Sequence, residues 1–367
     1  MRVKIDKREL EYILDLSNEI VLKKSINPIL SNILLETNDG ILKLTATDTE
    51  LTLIADIPAD VMGDGSACVS NSTLRELIKA STGALIFEKE NSLLKMSSDK
   101  ERFKVTLNTL PSSEFPVIET EEIVNAPTFT IKGFVFRDMI SKNIPFASKE
   151  ETRYTFMSVF VEKTGLELRT VSSDTRRLAL VKSFIDETVS DFSFLIPLKT
   201  AKILKSMVKD GDLRIKLLNK RVAFVQDNIT LISSQVEGDF PDYKAVIPQE
   251  TEHNIVFNRT ELEKAIKILN PFFTNDNQRI NLYIRKDTIK VATDETEMGQ
   301  GEDFISTDYE GENIDISFNY SYIKDIIASV DEEEIMMKIK SPEKPVIFKG
   351  KNNDNCIFVT VPSIRSR

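Results

Sequence analysis

A hairpin pattern that returns three times constrains this chain more than any other feature. Residues 166–182 read LELRTVSSDTRRLALVK. Leu166, Leu168 and Thr170, then Leu178 and Leu180, stand at period-two spacing, which predicts two strands with alternate faces buried. Between them lie Ser172, Ser173, Asp174, Thr175 and Arg176. Their short polar side chains can hydrogen-bond their own backbone and let the chain turn. The pattern returns in residues 42–57 (LKLTATDTELTLIADI) around Asp48, and in residues 289–305 (IKVATDETEMGQGEDFI) around Asp294. The three aspartates are 126 and 120 residues apart. That is the spacing of a domain, far too long for a solenoid repeat.

The length of 367 residues independently suggests two or three cores. With 41% hydrophobic and 29% charged residues, the chain reads as soluble and globular. No apolar run approaches the ~18 residues of a membrane span, and MRVKIDKREL lacks the apolar core of a secretory signal. Cys68 and Cys356 are the only cysteines, too few for a disulfide framework or a thiolate metal site. A reducing cytoplasm is the expected compartment. The formal net charge of -10 argues against a protein that grips nucleic acid with a generally cationic surface. It leaves room for cations confined to one small face.

Around each hairpin the same order of elements recurs. In the first unit, residues 7–20 form a helix burying Leu10, Ile13, Leu14 and Ser17. A lysine-bearing loop with Lys23 and Lys24 follows, then strands at 33–36, 41–45 and 50–56. A helix starts near Asn71-Ser72-Thr73 and buries Leu74, Leu77, Ile78 and Ser81. Strands return at 84–88, 93–97 and 102–107, and the unit closes with Leu110-Pro111 and Phe115-Pro116. The second unit has helices at 135–147 and 197–209, strands at 156–162, 166–171 and 179–184, and closes with Phe240-Pro241-Asp242-Tyr243. The third has helices at 259–269 and 319–330. The second helix begins 24, 23 and 25 residues after Asp48, Asp174 and Asp294. Three copies of one α+β unit is the reading this order supports.

The clearest chemical signal is on the second helix of the middle unit. Lys199, Lys202, Lys205 and Lys209 fall within an arc of about 120°, opposite Ala201, Leu204, Met207 and Val208. One such stripe alone is an ordinary solvated face. Arg75 and Lys79 in the first unit, and Lys264 and Lys267 in the third, repeat it more weakly. In an acidic protein that recurrence points to cations gathered where a polyanion can lie.

Catalysis is poorly supported. His253 is the only histidine, so a catalytic triad or histidine-rich metal site is hard to build. Neither a GxxxxGK[ST] loop nor a GxGxxG turn is present. Asp48, Asp174 and Asp294 occupy the same turn of separate repeats, which favours a structural role over converging carboxylates. Asp331 to Glu334 reads as a solvated acidic loop rather than a cation site. Phe115-Pro116 and Phe240-Pro241 read as loop anchors, the second bordering a candidate surface groove. The alternative class, a carboxylate-dependent hydrolase, would have to use one of the repeated aspartates.

These residues carry a resemblance to the bacterial DNA polymerase III β-subunit (β sliding clamp) family over essentially the whole chain. Asn27-Pro28-Ile29-Leu30-Ser31-Asn32-Ile33-Leu34-Leu35 resembles its PILxNxLL segment, and Thr47-Asp48 with Glu50 its TDxE turn. Leu110-Pro111 with Phe115-Pro116 resembles LPxxxFP. Residues 167–180 resemble ELRxVxTDxxRLA, and residues 237–243 EGxFPDY. Phe318-Asn319 with Tyr322 resembles FNxxY, and Val361-Pro362 through Arg365 the C-terminal MPxR. The resemblance implies three repeats of the DNA-clamp fold, two helices packed on antiparallel sheets in each, over residues 1–122, 127–249 and 251–367. It implies a ring-forming, head-to-tail homodimer that encircles duplex DNA irrespective of its sequence. Such a ring tethers the replicative polymerase, the clamp loader, other polymerases and repair proteins by short linear peptides, without catalysis, cofactor, metal or membrane.

The resemblance also implies residue roles. DNA contacts would be Lys24, Arg153, Tyr154 and Lys199, with Lys79 and Lys202 as neighbours. The peptide cleft would use Phe156, Ser173, Thr175, Arg176, Arg177, Leu178, Pro241, Val246, Asn319, Tyr322, Val361 and Pro362. At the dimer contact, Arg102, Lys104, Val105 and Leu107 would face Phe272, Phe273, Glu302 and Asp303 of a second copy. Three departures bear on the cleft. Thr175-Arg176 stands where Gly-His or Gly-Tyr is common, Ala245 replaces a frequent arginine, and Ser363 interrupts the C-terminal motif.

Overall fold

Among the described residues, the computed structural model has six helices of ten to twelve residues, two in each repeat. The structure describes residues 1–22, 26–100, 102–150, 152–185, 189–274 and 277–363. Lys23, Lys24 and Arg365, all named above, lie outside the described residues. Helix α1 (Lys7–Asn18) is capped by Asp6, whose carboxylate accepts from Arg8 N–H at 2.8 Å, and it buries Leu10, Ile13, Leu14 and Ser17. Helix α2 (Asn71–Ala80) is capped one residue earlier than expected, by Ser70. Helices α3 (Gly133–Asn143) and α4 (Leu198–Met207) belong to the middle repeat, α5 (Arg259–Leu269) and α6 (Tyr320–Ser329) to the last. Asn258 and Asn319 cap α5 and α6 by accepting the first free backbone N–H groups.

Helix α4 stops two residues before the 209 that its periodicity suggests. The Gln226 side chain explains the early stop, because its amide oxygen accepts from Lys209 N–H at 2.7 Å and its amide nitrogen donates to Lys209 C=O at 3.1 Å. A strand side chain thereby replaces the next helical turn. Gly133 opens α3 against this same corner. A Cβ there would stand 2.0 Å from the Lys209 carbonyl oxygen, and its N–H donates to Gly211 C=O at 2.7 Å.

The described residues form two compact units, residues 1–137 with 202–235, and residues 138–201 with 236–367. Each unit contains one eight-stranded antiparallel sheet assembled from two repeats. In the first unit, strand Leu51–Pro58, which follows the Asp48 turn, pairs with Ile229–Ser234, the closing strand of the middle repeat, in register Leu51↔Ser233 to Ala55↔Ile229. In the second, Arg177–Phe184, which follows the Asp174 turn, pairs with Cys356–Thr360, the closing strand of the last repeat, in register Arg177↔Thr360 to Val181↔Cys356. The rule is the same twice: the post-turn strand of one repeat joins the closing strand of the next.

Two of the three expected turns are identical atom for atom. Asp48 Oδ1 accepts from Glu50 and Leu51 N–H at 3.0 and 2.7 Å, and Thr49 N–H donates to Thr47 Oγ1 at 3.0 Å. Asp174 Oδ1 accepts from Arg176 and Arg177 N–H, both at 3.0 Å, and Thr175 N–H donates to Ser173 Oγ at 3.1 Å. Thr49 and Thr175 take φ of 84° and 77°. The third turn departs from the expectation. Asp294 instead accepts from Asn281 Nδ2 at 2.8 Å, and Thr296 and Gly299 close a wider loop, with Gly299 at φ 105°. The following strand, Glu302–Ser306, starts eight residues after Asp294, against three in the other repeats. Extra residues in the loop moved the strand along and released the aspartate from capping.

Burial of the middle hairpin also differs from simple alternation. Leu168 and Thr170 are buried on one face as expected, but Leu178, Ala179, Leu180 and Val181 are all buried and Leu166 is exposed. On the other face, Val171, Leu178 and Leu180 continue sideways into Phe160, Val359 and Ile347 of neighbouring strands, and Phe240, Tyr243 and Ile247 pack against them. A chain segment beyond the hairpin therefore acts as its second layer.

Candidate functional site: an apolar cleft beside the middle hairpin

The covering segment does not seal the hairpin completely. Between it and the Asp174 turn lies an open cavity of about 250 Å³. Phe156, Ser173, Thr175, Arg176, Arg177, Leu178, Pro241, Val246 and Val361 line it, nine of the twelve residues expected there. Phe240, Asp242, Tyr243, Pro345 and Val359 complete the lining; the first three belong to the segment expected to border a groove, while Pro345 and Val359 were not anticipated. Phe240 and Tyr243 belong to the FPDY segment already singled out, so that motif carried the signal. Pro345 and Val359 are brought in by pairing of the closing strand, which no local pattern reveals. Asn319, Tyr322 and Pro362 do not line the cavity. Asn319 instead caps α6, and Tyr322 supports the lining from behind.

The wall Phe240–Val246 is held by stacking and by one buried polar network. Phe160 and Phe240 stack with centroids 5.2 Å apart at 1°, and Phe156 lies 6.0 Å from Phe240. Tyr243 O–H donates to Glu162 Oε2 at 2.8 Å, and Glu162 also accepts from Arg169 Nη1 at 3.1 Å. Burial, followed by the Glu162 carboxylate, pushes the Tyr243 phenol above its ordinary range, so it stays a donor.

The floor depends on Arg177. Its guanidinium pairs with Asp174 at 2.9 Å and Asp325 at 2.7 Å and donates to Pro145 C=O at 2.7 Å. It also lies 4.4 Å from the Tyr322 ring and 5.2 Å from Phe146. Each nitrogen of this nearly buried guanidinium is engaged, which makes it a strut joining hairpin and α6 rather than a free charge. Exposed Val246 and Val361 are left as unfilled apolar surface at the mouth. Such a cleft suits the side chains of a short extended or turned peptide.

The other expected residues are distributed as follows. Lys199, Lys202 and Lys205 are exposed on α4 and Lys209 just beyond its end, with Ala201, Leu204, Met207 and Val208 buried. Lys209 Nζ sits 4.6 Å over the Tyr12 ring. Lys79 and Arg75 are not free cations, because both pair with Asp15 of α1, Lys79 at 2.8 Å. One carboxylate offsets one of the two positive charges, and the Asp15 carboxyl is held below its usual range by these two partners in spite of some burial. Tyr154 is largely exposed. Arg153 pairs with Glu150 at 3.3 Å and donates to Thr175 Oγ1 at 2.9 Å.

The acidic stretch 331–334 is exposed or half-exposed, as expected of a solvated loop, and it also makes surface pairs. Asp331 binds Lys142 at 2.5 Å, Glu332 accepts from Asn353 Nδ2 at 2.5 Å, and Glu334 binds Lys351 at 2.9 Å. Among the described residues no group of three or more His, Cys, Asp or Glu could hold a metal ion. His253 Nδ1 lies 2.9 Å from Tyr309 O–H, at the start of a strand and away from the cleft lining.

Repeats of two helices and antiparallel sheet, joined strand to strand and carrying an apolar cleft, define a three-domain clamp fold, a class that works by holding partners. Family comparison is specific. The models for the N-terminal, central and C-terminal domains of the DNA polymerase III beta subunit match residues 1–119, 130–242 and 244–364. The chain belongs to the DNA polymerase III β-subunit family, the sliding clamps of DNA replication, which are non-catalytic processivity factors. The beta sliding clamp of Rickettsia bellii is 25% identical over 99% of both chains, and that of Escherichia coli 25% identical over 91% of this chain and 92% of its own. Among solved structures, the DNA polymerase III beta subunit of Thermotoga maritima superimposes with a TM-score of 0.91 at 25% identity over all of both chains. The Pseudomonas aeruginosa sliding clamp bound to griselimycin gives 0.92 at 24%, a likeness of fold.

Proposed function

We propose that two copies of this chain close head to tail into a ring around duplex DNA, with repeats over residues 1–122, 127–249 and 251–367. The observation that carries this reading is a pair of leftover edges. The joining rule, post-turn strand to the next closing strand, is satisfied at two junctions. Among the described residues it leaves one post-turn strand, Glu302–Ser306, and one closing strand, Lys104–Asn108, each at the edge of its sheet. The same antiparallel pairing between two copies would satisfy both, and two such contacts related by a half-turn make a closed ring. These strands carry Lys104, Val105, Leu107, Glu302 and Asp303, with Arg102, Phe272 and Phe273 adjoining. Phe304 is well exposed on the second edge, as a partner would require.

A topological link needs only weak, exchangeable contacts with phosphate. Lys199, Lys202 and Tyr154 are the exposed groups offered for it, and Lys24 belongs with them by resemblance. Acidic surface elsewhere would repel stray DNA. The cleft would receive linear peptides of the polymerase, clamp loader and repair proteins, anchored by apolar side chains. Griselimycin, bound by the Pseudomonas aeruginosa clamp, is a candidate ligand for the same fold here. The cytoplasm is the compartment this role requires.

The test is sedimentation followed by retention on DNA after clamp loading. A mass near twice 41.6 kDa, with retention on circular plasmid and run-off from linear plasmid, is expected. A monomer that binds both DNAs equally and in a strongly salt-dependent way would reduce the lysine faces to an ordinary electrostatic site.

A further inference from the structure

Arg153 was expected to face DNA, yet its guanidinium is engaged at the mouth of the cleft. Nη1 donates to Thr175 Oγ1 at 2.9 Å, and Nε stands 3.3 Å from Glu150. Thr175 offers that hydroxyl from the tip of the hairpin turn, where its backbone is held at φ 77° by the Asp174 and Ser173 bonds. A β-branched residue in this region is an outlier that only a well-determined turn maintains. The equivalent Thr49 turn has the same backbone bonds and a similar φ of 84°. The turn bonds alone therefore account for the backbone, and the Thr175 hydroxyl is left to accept from Arg153.

That partner sits at the root of a cleft wall. Phe156 N–H donates to Arg153 C=O at 3.0 Å, and Met157 N–H to the same carbonyl at 3.1 Å. This one-turn helix, Tyr154–Met157, takes Phe156 out of the strand that its sequence pattern suggests and places it in the cleft lining, 6.0 Å from Phe240. The bridge from Arg153 to Thr175 thus ties the turn that carries Phe156 to the turn that carries Thr175 and Arg176, all three of which line the cleft. We infer that Arg153 and Thr175 form a latch that fixes the width of the cleft mouth, making Arg153 a positioning residue for peptide binding. Its role is to pre-organise Phe156, so that a peptide does not have to order that wall on binding. The proposal rests on the peptide-cleft reading given above.

A double-mutant cycle on the full-length protein tests it, with a fluorescein-labelled peptide bearing Leu and Phe anchors as the probe. R153A and T175V each remove one half of the latch, T175V keeping the shape and the β-branch. T175S keeps the hydroxyl. Each single variant should raise the Kd by roughly five- to tenfold through faster dissociation, with an unchanged melting temperature. The double variant should be no worse than either single, and T175S should match wild type. Additive effects, or a T175S as weak as T175V, would overturn the latch. So would an R153A that loses retention on circular DNA while its peptide Kd stays at the wild-type value. V361D separates the two readings. If it binds the probe like wild type, the cleft itself is wrong. If it loses the probe while R153A and T175V keep it, only the latch is wrong.

Discussion

At the scale of single residues, the two matching turns store strain that can be measured. Thr49 is held at φ 84° with its backbone bonds satisfied, and a β-branched side chain there costs about 1–2 kcal/mol. Thr49→Gly should therefore raise the urea midpoint, with a net gain of about 0.5–1 kcal/mol once the added freedom of the unfolded chain is counted. Arg177 is the opposite case. Arg177→Ala would leave Asp174 and Asp325 facing an empty site, and should cost about 2–3 kcal/mol in denaturant unfolding, moderated by the partial exposure of Asp325. The two cysteines give a pH prediction. Burial pushes the Cys68 thiol up to about 12 and the Cys356 thiol to about 11. Because the folded values are raised, the stabilisation of the protonated thiols is complete below the ordinary thiol range and is lost as pH climbs through 11–12. Iodoacetamide at neutral pH should leave both unmodified in the folded protein and label both after unfolding.

At the scale of elements, the cleft is a product of one hairpin and the segment that half covers it. Leu178 is a core residue, 3% exposed, so a charge there would disturb the sheet as well as the cleft. Val361, at the mouth and 39% exposed, is the cleaner probe. Val361→Asp should weaken peptide binding by about a hundredfold, since the carboxylate must be desolvated against apolar side chains. The dimer should be unaffected, because the edge strands lie elsewhere in the fold. Fluorescence anisotropy and sedimentation on the same sample check both halves.

At the scale of the whole molecule, Lys104–Asn108 and Glu302–Ser306 each end a sheet with one side unpaired. An exposed edge is a hazard unless it is charged, covered or paired. Arg102 and Lys104 mark one leftover edge, and Glu302 and Asp303 the other. The double substitution Arg102→Glu, Lys104→Glu would set like charges against each other and should shift the sedimenting species toward 41.6 kDa at physiological salt. High salt should partly restore the dimer, because such surface repulsion is screened.

The sequence by itself determined the repeat, the helices and the chemistry of the lysine stripe, because these follow from local periodicity and capping. Helix α5 begins and ends where its pattern says, and Asp48 and Asp174 cap the turns in which their neighbours place them. It also placed nine cleft residues, although that depended on a family resemblance and not on spacing. Tertiary structure decided what depends on distant chain segments. The pairing of Arg177–Phe184 with Cys356–Thr360 brought Val359 and Val361 to the hairpin across more than 170 residues of chain. Asp15 drew Lys79 and Arg75 into one shared ion pair, and Gln226 ended α4 early. In each case the deciding bond joins groups far apart in sequence, and its formation is set by which strands and helices pack together, a relation that no local pattern encodes.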